Sequence, residues 1–158
     1  DSLNGLATGI GIAFLEELFF RGWFYAELRW DYGRRWAGIH SSWIFASLHY
    51  LKPIDVLLAT WPQLPGLTLL GLTMVQARSC GGRDRQGSLG MPIGMHGGWV
   101  CAVTIASLSG LHHYTGIVPT WVTGIGGNPL AGVVGFGFLS AVGWGLRQWS
   151  RSNPQATT

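Results

Sequence analysis

Charge is what this sequence has least of. Only 11% of its 158 residues are Asp, Glu, Lys or Arg, where soluble domains carry about a quarter. A formal charge of +3, from arginines scattered along the chain, excludes the basic footprint that nucleic acid requires. Cysteine is scarce as well. Cys80 and Cys101 supply neither a disulfide framework nor a CxxC pair, and read as two free thiols. No short, basic-headed leader opens the chain: Asp1 is acidic and the first apolar run is too long. No internal repeat is visible. In place of charge stand 47% hydrophobic residues, nine tryptophans and 25 glycines. Tryptophan collects at membrane interfaces, and glycine is commoner in spanning helices than in soluble ones. The length allows one domain, residues 1–158. Its abrupt start reads as the core or C-terminal part of a longer membrane protein.

Five apolar segments follow one another. Leu3 to about Arg29 is the first, closed by the polar turn Asp31-Tyr32-Gly33-Arg34-Arg35. Trp36 to Leu51 is the second, ended by Lys52-Pro53, because proline cannot continue a helical ladder. Ile54 to Ala77 is the third, kinked or divided by Trp61-Pro62-Gln63-Leu64-Pro65-Gly66. Met91 to about Leu111 and Leu130 to Trp149 are the fourth and fifth, with an uncharged Gly/Pro-rich loop between them. The expected fold is therefore all-α: a transmembrane bundle of about five spans around a buried polar cavity. The arginines fit that map. Arg34 and Arg35, then Arg78, Arg83 and Arg85, then Arg147 and Arg151 follow alternate crossings, while the opposite loops hold only Lys52. By the positive-inside rule, an integral membrane protein with its arginine loops in the cytoplasm is predicted.

Against this background the polar residues inside the spans stand out. Glu16 and Glu17 lie mid-run, and an ionisable group at such depth costs a few kcal/mol, about 2.5 or more, so it needs a partner or a task. Glu17 and Arg21 are four apart, which stacks them as a structural ion pair. Glu16 points about 100° away and is left without an in-helix partner. His49 lies on the second segment and His96 on the fourth. Counted from the arginine ends, Glu16 and His49 lie ~20 Å deep and His96 ~10 Å deep, at depths that tilt can reconcile. Three ionisable groups on three helices point to a site.

Glu16-Glu17-x-x-x-Arg21, Phe45-x-x-x-His49 and a later His96, in a helix opened by Gly87-Ser88-Leu89, resemble the ordered motifs of the CAAX protease and bacteriocin-processing (Abi) family of intramembrane proteases. The likeness runs from about Leu6 to Ala106. It implies a transmembrane bundle around a water-filled cavity, no cofactor, and a membrane-borne peptide or prenylated protein as substrate. It also implies roles: Glu16 the base that activates water, His49 a holder of that water, His96 an oxyanion donor. The family's third motif is His-x-x-x-Asn, and here Val100 stands at the asparagine position. Thr104, one turn further on, or a backbone amide is the candidate substitute.

The chemistry stands without the family, since burial moves a glutamate toward the pKa that a general base needs. A catalytic zinc on Glu16, His49 and His96 is the rival reading, because one Glu and two His form a known ligand set. Against it, the three come from separate helices with no short His pair. A catalytically silent scaffold or proton-relay carrier is the alternative function. Gly90, Gly94 and Gly98, like Gly137, Ala141 and Gly145, recur every four residues and predict close helix packing. His112-His113 reads as a solvated loop pair and His40 as an interfacial residue.

Overall fold

The computed structural model describes residues 2–80, 87–110 and 115–152, and over them it is helical with no strand. The first segment is one continuous rod: α1 (Ser2–Glu17), a π-helical stretch (Leu18–Phe24) and the start of α2 (Tyr25–Leu48). The polar turn expected at residues 31–35 is a break inside α2, where Gly33 adopts φ 75° and ψ 169°. A side chain at positive φ is strained, so glycine is the residue that turns the chain there. The third segment is divided as its prolines require. The helices α3 (Ile54–Thr60) and α4 (Gln63–Cys80) meet at 72° across Trp61-Pro62. Next come α5 (Gly90–Leu108), a short α6 (Thr120–Thr123), two 3-10 turns (Ile125–Gly127, Pro129–Ala131) and α7 (Val133–Ser152).

Helix α4 is the centre, packing against α2, α5 and α7. Its apolar face joins Phe20, Phe45 and Leu139 in the core through Leu67, Leu70 and Met74. Small residues set the close approaches. Gly71 sits on Ser42 of α2, and Gly66 sits on the backbone carbonyl of Leu130. The outward surface is apolar, with Ile10, Phe14, Phe19, Trp43 and Phe138 exposed. A patch of that extent suits a lipid environment. By length and composition α5 is the single described helix able to cross a membrane alone, and the bent α3–α4 pair adds a second if it counts as one span. The other three expected spans fall short because of what they carry. The α-helix of the first stops after 16 residues, at Glu16 and Glu17, where the π-helical stretch begins; α2 holds Glu27, Arg29, Asp31, Arg34 and Arg35, and α7 ends in Arg147 and Arg151.

The arginine groups do gather at one end of the bundle. Arg34 and Arg35 line a groove with Gln76 and Ser79 from the end of α4, Gln76 also borders Arg147, and the Cys80 thiol donates to the Leu146 carbonyl. Arg83 and Arg85 lie outside the described residues. The glycine stripes behave otherwise than expected. Among the described residues nothing approaches the Cβ positions of Gly94, Gly98, Gly137 or Gly145, so neither stripe is a helix contact.

These two glycine classes should respond oppositely to alanine. Gly66→Ala drives a methyl group into a backbone carbonyl that cannot rotate away, and should destabilise by about 1–3 kcal/mol. Gly94→Ala meets open space and should be neutral or stabilising by up to about 1 kcal/mol. Thermal unfolding of the two variants in detergent checks the contrast. Equal stability would show that the Gly66 contact is not tight.

Candidate active site

Antiparallel packing of α1 on α5 assembles the site. Gly22 lies against Leu89, Glu17 meets His96, and Gly9 meets Val100, so one helix runs down as the other runs up. Glu17 is fully buried and is the hub. Its Oε1 accepts from Arg21 Nη1 at 2.8 Å, one turn along the same rod. The same oxygen pairs with His96 Nδ1 at 2.8 Å, 79 residues away in sequence. Glu17 has no proton to give as a carboxylate, so Nδ1–H is the donor. That bond turns His96 Nε2 toward Glu16, whose Oε2 lies 3.7 Å away. The separation is too long for a direct hydrogen bond, yet short enough for a single water to touch both atoms at about 2.8 Å.

Arg21 is buried too, and its second neighbour is aromatic: Cζ lies 4.3 Å from the Phe45 ring centroid, within cation–π range. Glu17 Oε2 and Arg21 Nε and Nη2 make no hydrogen bond among the described residues. Phe45 is the wall of the site. Its ring stands edge-on to His49 at 4.6 Å and to His96 at 6.1 Å between centroids. His49 itself sits at the C-terminal end of α2 with Nδ1 2.8 Å from the Phe45 carbonyl. Among the described residues it forms neither a hydrogen bond nor an ion pair with Glu16 or His96.

The expected site residues thus divide. Glu16, Glu17, Arg21 and His96 are brought together, and the Glu17–Arg21 pair stands where its spacing put it. His96, rather than His49, is the neighbour of Glu16. The depth count explains this difference. Counted from Trp30, Glu16 falls ~20 Å deep, but Gly22 is already level with the start of α5, which leaves Glu16 ~9 Å in, beside His96 at ~10 Å. Trp30, 91% exposed, belongs to a part of the rod beyond the bundle. Val100 packs on Gly9 of α1. Thr104 is two turns beyond His96, ~12 Å along the helix, and is not brought to Glu16. Among the described residues no three His, Cys, Asp or Glu side chains gather closely enough to hold a metal ion. The His112-His113 pair lies outside those residues, and His40 stacks on Trp36 at the exposed surface.

Three contributors escape a reading of sequence alone. The π-helical stretch immediately after Glu17 is one; such bulges recur at functional sites, and a run of apolar residues does not announce them. The place of Phe45 is another: its motif with His49 gives no sign that its ring stands against both Arg21 and His96. Arg78 is the third: buried near the end of α4, it donates to the Gly22 carbonyl at 3.3 Å and lies over the Tyr25 ring. Its own carbonyl accepts from Ser88 N at 3.0 Å, tying the glutamate rod to the start of the His96 helix.

A family model described as type II CAAX prenyl endopeptidase Rce1-like matches residues 2–102, which span α1 through most of α5. No curated protein and no solved structure matches the chain.

Truncating the arginine isolates the hub. Arg21→Ala strands a buried carboxylate and should cost about 3–5 kcal/mol, as for other broken buried pairs. Folded yield and melting temperature in detergent should both fall, and unchanged melting would remove Arg21 from the structural account.

Proposed function

We infer the function from one premise: the chain belongs to the Rce1-like family of type II CAAX prenyl endopeptidases, which are integral membrane proteins. On that premise we propose that Glu16 and His96 form a water-activating pair that hydrolyses a peptide bond of a membrane-associated, lipid-modified polypeptide. The observation that carries the reading is the 3.7 Å gap between Glu16 Oε2 and His96 Nε2, with His96 Nδ1 fixed by Glu17. Glu16 is the more exposed carboxylate, its side chain 26% accessible against 0% for Glu17. It can therefore exchange with water and substrate while Glu17 remains committed to Arg21 and His96.

In the proposed cycle a water held in that gap attacks the scissile carbonyl, and Glu16 takes its proton as general base. The tetrahedral oxyanion accepts a hydrogen bond from His96 Nε2–H, which keeps its proton throughout while Nδ1–H stays on Glu17. Glu16 then returns its proton to the leaving amine. No covalent intermediate is involved, and every step uses this chain's own groups; neither a metal nor an organic cofactor is called on. His49 is assigned a supporting part. With Nδ1–H on the Phe45 carbonyl, its Nε2 is an acceptor for water or a substrate N–H on the far side of the Phe45 ring. Val100 against Gly9 leaves the second oxyanion donor of the family unfilled. That feature favours the alternative reading, a silent scaffold or proton-relay carrier on the same fold.

Cleavage of a fluorogenic prenylated peptide in detergent decides between them. Glu16→Gln should abolish turnover with folding and substrate binding near wild type. His96→Ala should lower kcat by ~10²–10³, the scale of one lost oxyanion donor. Because the Val100 side chain faces α1, Val100→Asn should change the rate little. Wild-type turnover by Glu16→Gln would sink the assignment, and an inactive wild type would favour the scaffold.

Metal removal gives an independent check. Activity and thermal stability should survive exhaustive chelation. Loss of activity together with stoichiometric zinc, restored on adding zinc back, would replace the water mechanism with the zinc reading.

A further inference from the structure

Between α2 and α4, at the arginine end, the bundle leaves a groove of about 400 Å³. Arg34 and Arg35 border it with the polar Gln76 and Ser79, Ile39, Leu72 and Val75 supply its apolar lining, and Gly38 comes close to Val75 there. Both arginines are exposed, and among the described residues neither has a carboxylate partner. Their own helix offers no compensation. They follow the break at Gly33 and so occupy a first helical turn, where the backbone dipole disfavours cations. Ile39 and Leu72, each 37% exposed, keep the slot open to the apolar outer surface. Trp36, exposed beside Arg35, suits the headgroup level of a bilayer.

Two cations that have no carboxylate partner among the described residues, beside an apolar lining, match an anion that carries a hydrocarbon chain. A free phosphate would satisfy the arginines and leave the slot empty. An uncharged prenyl chain would fill the slot and ignore the arginines. We propose that this groove binds an anionic phospholipid, its phosphate bridging Arg34 and Arg35 and one acyl chain lying along Ile39, Leu72 and Val75. The inference depends on the chain being an integral membrane protein and is independent of the catalytic assignment, since the groove contains none of Glu16, Glu17, His49 and His96.

The test is native mass spectrometry of the purified chain in detergent, titrated with phosphatidylglycerol or phosphatidylcholine of matched acyl chains. Phosphatidylglycerol should be retained preferentially, and Arg34→Gln and Arg35→Gln should each weaken it by about fivefold. Leu72→Trp, which fills the slot and spares both arginines, should also weaken it; Ile39→Trp serves the same end if Leu72→Trp does not accumulate. Arg151→Gln, at the same end but outside the groove, should have no effect. Equal retention of the two lipids would overturn the proposal. So would a loss in Arg151→Gln equal to that in Arg34→Gln, or retention unchanged by the tryptophan variants. Displacement of phosphatidylglycerol by millimolar inorganic phosphate would assign the arginines to a free anion, and displacement by an uncharged prenylated peptide would assign the slot to substrate; either result overturns it.

Discussion

Everything in the site depends on one carboxylate oxygen. Glu17 Oε1 accepts from Arg21 Nη1 and His96 Nδ1 at the same 2.8 Å, and through it the first rod and the fifth helix become one unit. Neither partner would be stable at that depth alone. Arg21 and Glu17 are fully buried and His96 nearly so, and an unpaired charge among apolar helices is costly. Pairing them makes the polar centre nearly self-contained. It also orients a histidine on a helix that has no other titratable group apart from Cys101. The second-helix contact through Phe45 then encloses the guanidinium with a ring rather than another charge, so the cluster gains a neighbour without gaining a further ion to neutralise.

Fixing the Glu17 hub requires that the two helices meet in one register, and contacts at three levels supply it. Near the arginine end, Arg78 joins the Gly22 carbonyl to the loop before α5. At the middle, the hydrogen bond of Glu17 to His96 sets the rotation of α5. Further along, Gly9 accepts the bulk of Val100 where any side chain on α1 would collide with it. Val100 therefore already has a task, as the packing residue of the α1–α5 seam. A donor placed there would face a helix backbone, which is why the missing asparagine cannot be judged from the sequence position alone.

Much of this was legible in the chain. The Glu17–Arg21 pair follows from a four-residue spacing, the breaks at Gly33 and Trp61-Pro62 from residues that cannot continue a helix, and the gathering of the arginines from alternate crossings. The all-α fold and the family follow from apolar runs and the order of three motifs. What was not legible depends on contacts distant in sequence. The depth of Glu16 is one such feature: α-helical counting from Trp30 assumes that the rod ends with the bundle, whereas it projects beyond, with Trp30 91% exposed. The glycine stripes on α5 and α7 carry the right spacing and the wrong direction, since periodicity identifies a face without naming its neighbour. The π-helical stretch left no signal because Leu18–Phe24 would serve equally as α-helix.

Two adjacent glutamates are not redundant, because the roughly 100° between them divides their fates. Glu17 turns into the bundle, where its charge is consumed by Arg21 and its geometry by His96. Glu16 turns to the edge of the same seam, partly accessible, with a histidine nitrogen close enough to share a water and too far to take its proton directly. The proposed cycle calls for a carboxylate without structural partners, and Glu17, bonded to both Arg21 and His96, is not one. The proposed chemistry therefore draws on both carboxylates: a committed one that joins the helices and aims the histidine, and an uncommitted one that stays available. The same division explains why His49, on the far side of Phe45, can differ in role from His96 although the sequence presents them alike. Only the histidine seated on the committed glutamate has its free nitrogen aimed at the available one.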